Sequence, residues 1–101
     1  MKLNASLDGD IFLAKLSDRM EFSDHPMFRT LIEDVSNSGA KKCVFDLSDL
    51  NSIDSSGLGM FMVAHDTAKT NGWSLCLKAP RGHVKTLLEM GKFDKILEVV
   101  E

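Results

Sequence analysis

One stretch decides the fold of this 101-residue chain: residues 44–59, which read VFDLSDLNSIDSSGLG. It lies across a short apolar run, residues 43–47, of the kind that forms a central strand. Residues 48–54 are expected to carry the chain out of that strand. After Asp54 the apolar positions take helical spacing, and one face carries Leu58, Phe61, Ala64, His65 and Ala68. A strand, a loop and a helix in this order predict one unit of an α/β sheet.

The segment before this stretch predicts a hairpin and a helix. Residues 3–7 alternate between apolar and polar, and the run 11–16 follows Asp8-Gly9, which favours a hairpin closed by a type I′ turn. A helix is expected to start at residues 23–26, with Pro26 in its first turn and Ser23 or Asp24 as its cap. Its apolar stripe consists of Phe28, Leu31, Ile32 and Val35, and residues 37–39 end it.

The segment after it predicts two strands and another helix. Asn71-Gly72 ends the helix that follows Asp54. Residues 73–77 alternate as in a strand, and Pro80 interrupts this pattern. An amphipathic helix with Val84, Leu87 and Leu88 closes at Gly91, and residues 96–100 form a last strand. The fold class is therefore α/β: a single-domain layer sandwich over residues 1–101, in the order β-β-α-β-α-β-α-β. We expect a mixed sheet with an antiparallel N-terminal hairpin, parallel pairing elsewhere, and helices on one or both faces.

Composition argues against several classes of partner. The formal net charge is −3 and the lysines form no run, so neither nucleic acid nor an anionic membrane surface is an expected partner. No apolar stretch is long enough to span a bilayer, and a signal peptide is lacking, so we expect a cytoplasmic protein. Cys43 and Cys76 each lie inside an apolar run, which predicts buried, reduced thiols.

Residues suited to catalysis or to holding a cofactor do not form a recognisable pattern. The three histidines have no metal-ligand spacing with cysteine or carboxylate residues. The chain has neither the nucleophile-elbow motif nor a nucleotide-binding loop. We therefore predict a binding domain that is not an enzyme and has no catalytic residue, metal or cofactor.

The candidate functional segment is the start of the helix after Asp54. Functional groups in open α/β sheets gather at the carboxyl ends of strands, and a helix N-terminus favours an anion because its N–H groups are free. Two interpretations of Ser55 and Ser56 remain open from the residues alone. They are either capping residues, for which Asp and Ser are preferred, or they include a hydroxyl that accepts phosphate.

The whole of residues 44–59 closely resembles the signature of STAS domains, the family of bacterial anti-sigma factor antagonists. The resemblance continues through Asn71-Gly72, residues 75–77 and residues 84–91, and on to Phe93 and Ile96. It implies a STAS-like fold and a protein switched by phosphorylation. Ser55, the first serine after the aspartate, takes the position that accepts phosphate from an anti-sigma factor serine kinase. By the same resemblance, the unphosphorylated form is expected to bind that kinase and free a sigma factor, and a phosphatase that acts on phospho-Ser55 is expected to restore the unphosphorylated form.

The neighbours of Ser55 are candidates for partner binding. Asp54 either orients the Ser55 hydroxyl or caps the helix, and Ser56 is expected to form local hydrogen bonds. Gly57 and Gly59 either let a partner backbone approach or tolerate unusual φ values. Helical phasing places Met62 and Val63 on the surface, as a binding patch or as scattered apolar residues. The full predicted partner-binding set is Glu21, Asp54, Ser56, Gly57, Gly59, Met62, Val63 and Asp66.

One string departs from the family pattern. Relatives usually carry a glycine, two apolar residues and an aspartate after the second strand, whereas residues 18–22 read DRMEF. Asp18 replaces the glycine, and Glu21 keeps the acidic charge. An alternative function follows: an adaptor subunit that regulates a transport ATPase, or a secretion or motility pathway, without sigma-factor control. A monomer is the expected state.

Overall fold

A computed structural model describes every residue of the chain, 1–101. Five strands are present: β1 (Lys2–Asp8), β2 (Ile11–Met20), β3 (Lys42–Ile53), β4 (Ser74–Lys78) and β5 (Glu98–Val100). Three α-helices connect them: α1 (His25–Ser38), α2 (Ser55–Asn71) and α3 (Gly82–Met90). Short 3₁₀ turns lie at Phe22–Asp24 and Phe93–Lys95. The predicted element order is confirmed.

The sheet has the strand order β1-β2-β3-β4-β5, in which only the β1–β2 pair is antiparallel. This confirms the mixed sheet with an N-terminal hairpin. The predicted turn was wrong in its details. Asp8 pairs with Ile11, so the two loop residues are Gly9 and Asp10, and only Gly9 has a positive φ, of 60°. A positive φ at the first position alone is the requirement of a type II′ turn rather than type I′.

The three helices cover one face of the sheet. On β2 and β3 alternate residues point into a single core cluster: Phe12, Ala14, Leu16, Cys43, Phe45 and Leu47. Their neighbours on the other face, Ile11 and Leu13, stay more than a third exposed. At the centre of the core, the rings of Phe28, Phe45 and Phe61 have centroids 5.5, 6.0 and 6.1 Å apart. These aromatic contacts fix α1 and α2 against β3.

Strand β3 is much longer than the predicted strand of residues 43–47. It continues to Ile53, so residues 48–53 do not leave the sheet. The register against β2 shifts twice, because β3 holds an extra residue opposite Lys15–Ser17 and another opposite Asp18–Arg19. The buried residues Leu47, Leu50 and Ile53 are consequently three apart instead of two. The long strand delivers the chain directly to the start of α2.

Helix α1 starts differently from the prediction. Neither Ser23 nor Asp24 caps it through its side chain. The Asp24 carboxylate instead accepts the N–H of Glu21 at 2.8 Å, which closes the turn Phe22–Asp24. Pro26 does lie in the first turn, and the helix ends as predicted at Gly39, whose φ is 79°.

The core-facing side of α2 is rotated from the predicted one. Its buried residues are Gly57, Met60, Phe61, Ala64 and Ala68. Leu58 and His65, which were predicted to face the core, are only half-buried at the edge of the interface.

The two cysteines are free and buried, as predicted. Cys43 pairs with Leu75 and Cys76 pairs with Val44, so adjacent strands direct the two thiols to opposite faces of the sheet. Burial raises the pKa of the Cys43 thiol to about 12. None of the three α-helices is both long and apolar enough to span a membrane.

Candidate functional site

Asp54 caps helix α2. Its backbone is extended, with φ −98° and ψ −178°, as expected of an N-cap residue. Its Oδ1 atom accepts the N–H of Gly57 at 2.9 Å and the hydroxyl of Ser56 at 2.8 Å. Of the two roles that the sequence left open for Asp54, the structure shows capping, and it confirms local hydrogen bonding for Ser56.

The cap also sets the charge of this carboxyl group. The N–H of Gly57 lowers the pKa of Asp54 most, and the Ser56 hydroxyl lowers it further. Hydrogen bonds to the ionised form stabilise that form. Asp54 is therefore a carboxylate at neutral pH, and it lies at the positive end of the helix dipole.

Ser55 is the first residue of α2 and is exposed. Its hydroxyl has no hydrogen-bond partner within the protein, whereas the half-buried Ser56 is held by Asp54. The two adjacent serines thus differ in availability. Only the Ser55 hydroxyl is free to react with a molecule that approaches from solvent.

Gly57 lies beneath this surface rather than on it. It is buried, and a Cβ atom there would come within 2.9 Å of Cδ1 of Ile53 and 3.4 Å of Cγ of Met20. The N–H of Asp54 also donates to the carbonyl of Met20 at 3.3 Å. This glycine therefore allows the start of α2 to pack on the ends of β2 and β3, and its part in partner binding stays a prediction.

The outer side of α2 carries a stripe of exposed residues, which we call the outer stripe: Ser55, Gly59, Val63 and Asp66. They follow one another at spacings of four, four and three residues and so share one helix face. Val63 is 50% exposed, and a Cβ at Gly59 would meet nothing within 4 Å. The predicted exposure of Met62 was wrong, because that side chain is half-buried against the core.

Glu21 and Asp54 lie on the same cleft. The cleft has a volume of about 540 Å³, and its lining also includes Arg19, Phe22 and His83. The sequence had connected Glu21 with Asp54 only through the family pattern. Phe22 and His83 were missed: Phe22 was part of the departing string, but His83 is the second residue of α3 and carried no sequence signal.

The backbone conformation at Asp18 accounts for the glycine that the family usually has at this position. Its φ is 68°, a left-handed conformation that glycine adopts without strain. Aspartate is among the few other residues that tolerate this region. The replaced glycine therefore served the backbone, and its loss does not by itself indicate a different partner.

The chain belongs to the STAS domain family, which it matches over residues 2–101. This membership agrees with the prediction of a binding and regulatory domain rather than an enzyme.

Individual proteins are similar to this chain in sequence or in fold. A STAS-domain containing protein of Pseudomonas aeruginosa is 27% identical over 94 residues, covering 93% of this chain and 92% of that one. A candidate anti-sigma factor antagonist from Thermotoga maritima superimposes with a TM-score of 0.87 at 22% identity, over 98% of this chain and 86% of the other. An anti-sigma factor antagonist from Mycobacterium paratuberculosis gives 0.85 at 15% identity, over 98% and 84% of the two chains. The phosphorylated form of the Bacillus protein SpoIIAA gives 0.76 at 11% identity, over 99% and 92%.

Proposed function

We propose that this protein is an anti-sigma factor antagonist whose binding to an anti-sigma factor serine kinase is switched by phosphorylation of Ser55. The observation that carries the proposal is the difference between the two serines. Asp54 holds the Ser56 hydroxyl at 2.8 Å, and the Ser55 hydroxyl is left exposed at the first position of α2. The solved anti-sigma factor antagonists of the same fold support the assignment.

Charge explains how a phosphate at Ser55 would act. A phosphoserine carries roughly −1.5 to −2 charges at pH 7. The Asp54 carboxylate already accepts the N–H of Gly57, so the phosphate adds charge beside an anion. A partner packed on the outer stripe would have to desolvate both groups. A loss of about 2–3 kcal/mol weakens binding by roughly 30- to 150-fold.

The remaining steps follow from this switch. The unphosphorylated protein sequesters the kinase and so releases the sigma factor that the kinase holds. Transfer of phosphate to Ser55 ends the sequestration, and a phosphatase acting on phospho-Ser55 restores it. We place this cycle in the cytoplasm and assign a monomer to the free protein.

Purified anti-sigma factor serine kinases from the genome that encodes this chain provide the test. Each is incubated with ATP and the wild-type protein, Ser55→Ala or Ser56→Ala, and incorporated phosphate is located by mass spectrometry. We expect one phosphate on the wild type and on Ser56→Ala, and none on Ser55→Ala. The phosphorylated protein should bind the same kinase at least tenfold more weakly.

Two results would contradict the proposal. Equal phosphorylation of Ser55→Ala would overturn the choice of residue. Absence of binding to every kinase, together with co-purification of the chain with a transport ATPase, would favour the adaptor function instead.

A further inference from the structure

We infer that Phe22 is the apolar anchor of the surface that docks the serine kinase, and that the kinase presents an apolar pocket with a cationic side chain at its rim to receive it. This inference rests on the proposed function, since it names a second contact of the same partner. Phe22 takes part neither in the helix cap at Asp54 nor in the acceptance of phosphate at Ser55, so the proposed switch gives it no role.

Phe22 is displayed to solvent in an unusual way. Its side chain is 69% exposed, although it is the largest type of apolar side chain in this chain apart from tryptophan. Its aromatic contact is an edge-to-face approach to His25, with ring centroids 6.0 Å apart. An exposed aromatic side chain buries a large area on binding and is a frequent binding hot spot.

The backbone beneath Phe22 is held in place. The turn Phe22–Asp24 is closed by two hydrogen bonds: Glu21 N–H to the Asp24 carboxylate at 2.8 Å, and Asp24 N–H to the Glu21 carbonyl at 2.9 Å. A side chain on an ordered turn loses less conformational freedom on binding than one on a mobile loop. The turn therefore presents Phe22 in a form suited to docking.

Phe22 lies within reach of any protein that acts on Ser55. It shares the 540 Å³ cleft with Asp54, the residue that directly precedes Ser55. A second cleft of about 580 Å³ lies on the other side of Phe22, along α1, where its lining includes His25, Arg29 and Glu33. A standard interface covers about 800 Å² per partner, a patch with a radius of about 16 Å. The backbone N–H of Phe22 also lowers the pKa of Asp54, so the turn that carries Phe22 lies beside the start of α2 and within a patch of that size centred on Ser55.

The charge around Phe22 specifies the rim of the partner pocket. A third cleft, of about 560 Å³, is lined by Asp18, Glu21 and Asp24, but these carboxylates have cationic neighbours. Asp24 contacts the N-terminal ammonium of Met1 at 3.0 Å, and Asp18 lies 3.6 Å from the Lys2 ammonium. Arg19 is already within 3.7 Å of Glu21. Asp54, in the cleft that it shares with Phe22, has no ion-pair partner. A carboxylate without a cationic partner beside an aromatic residue is complementary to a cationic side chain beside an apolar pocket.

Binding of the unphosphorylated protein to the purified serine kinases tests the inference. Phe22→Ala should weaken the affinity by 10- to 100-fold, and Phe22→Leu should stay within about fivefold of the wild type. Met90→Ala is the matched control, since Met90 is 74% exposed at the far end of α3 and should leave the affinity unchanged. In phosphorylation assays, Phe22→Ala should raise KM and leave kcat within twofold, because Phe22 does not touch the reacting atoms. Circular dichroism and the melting temperature verify that each variant is folded.

The outcomes separate the inference from the function on which it rests. Wild-type affinity in Phe22→Ala, with Ser55 still phosphorylated, would overturn the anchor and leave the switch intact. A failure of the wild type to bind any kinase would overturn both. If Phe22→Ala instead converted a dimer to a monomer in analytical ultracentrifugation, with no effect on kinase affinity, the occupant of this surface would be a second copy of the chain.

Discussion

The hydroxyl of Ser56 lies 2.8 Å from Oδ1 of Asp54, and this same oxygen accepts the N–H of Gly57 at 2.9 Å. One carboxylate oxygen thereby satisfies a backbone donor at the start of α2 and binds the serine that directly follows Ser55. The contact distinguishes two chemically identical neighbours, and it leads to the first two predictions.

Replacing Asp54 should destabilise the fold through loss of the helix cap. We expect Asp54→Ala to lower the free energy of unfolding by about 1 kcal/mol. For a domain of this size that is a decrease of about 4–8 °C in melting temperature. Asp54→Asn keeps an oxygen acceptor without the charge and should lose less than half as much. A melting temperature for Asp54→Ala equal to the wild-type value would show that the cap contributes nothing.

Acid titration should reveal the hydrogen bonds that Asp54 accepts. The Gly57 N–H and the Ser56 hydroxyl hold the pKa of Asp54 below about 3.9, the ordinary value for aspartate. Because the folded pKa is lower than the unfolded one, this contribution to stability is fully present above about pH 4 and is lost as the pH falls through the folded pKa. Ser56→Ala should move the pKa of Asp54 upward, as measured by NMR of the carboxyl carbon. The titration of Asp46, which accepts the N–H of Ser48 at 3.0 Å, serves as an internal control and should not change.

Two glycines two residues apart in α2 should respond in opposite directions to alanine. Gly57→Ala places a methyl group against the buried Ile53 and should cost about 1–3 kcal/mol. Gly59→Ala points into open space on an exposed helix face and should gain about 0.5–1 kcal/mol through higher helix propensity. Denaturant unfolding of the two variants measures both changes. Equal effects would mean that Gly57 has no packing role.

The left-handed backbone at Asp18 should make this position sensitive to the residue type. Asp18→Ala should lower the free energy of unfolding by about 1 kcal/mol, because a φ of 68° strains a residue with a Cβ and no compensating polar side chain. Asp18→Gly restores the residue usual in the family and should be neutral or stabilising. Its ion pair with Lys2, at 3.6 Å and well exposed, contributes little. Thermal unfolding of both variants checks the expected order, which a more stable Asp18→Ala would reverse.

The sequence predicted the order of the elements because most of them keep a regular apolar period. It did not predict the end of β3, because the two extra residues there separate Leu47, Leu50 and Ile53 by three positions. A spacing of three is not the alternation by which a strand is recognised. The core face of α2 was misplaced for a related reason. Gly57 has no side chain to mark it as buried, so the apolar stripe was aligned on Leu58 instead.

The candidate site was partly predictable in the same sense. Asp54, Ser55 and Ser56 are consecutive, so their pattern is visible in the chain. The cleft that joins Glu21 to Asp54 exists only after β2 and β3 pair in parallel and end side by side. Phe22 carried no signal, because a single phenylalanine after a strand is more often expected in a core than on a surface.

The tight packing of Gly57 on Ile53 and Met20 limits how phosphorylation of Ser55 can change the structure of this protein. The first turn of α2 has no room to move inward, and the cap at Asp54 ties it to the ends of two central strands. A phosphate at Ser55 would therefore change the charge of the surface without moving the backbone. The partner would then respond to the added charge alone, without a change in the shape of this protein. A structure of the phosphorylated protein should be superimposable on the unphosphorylated one.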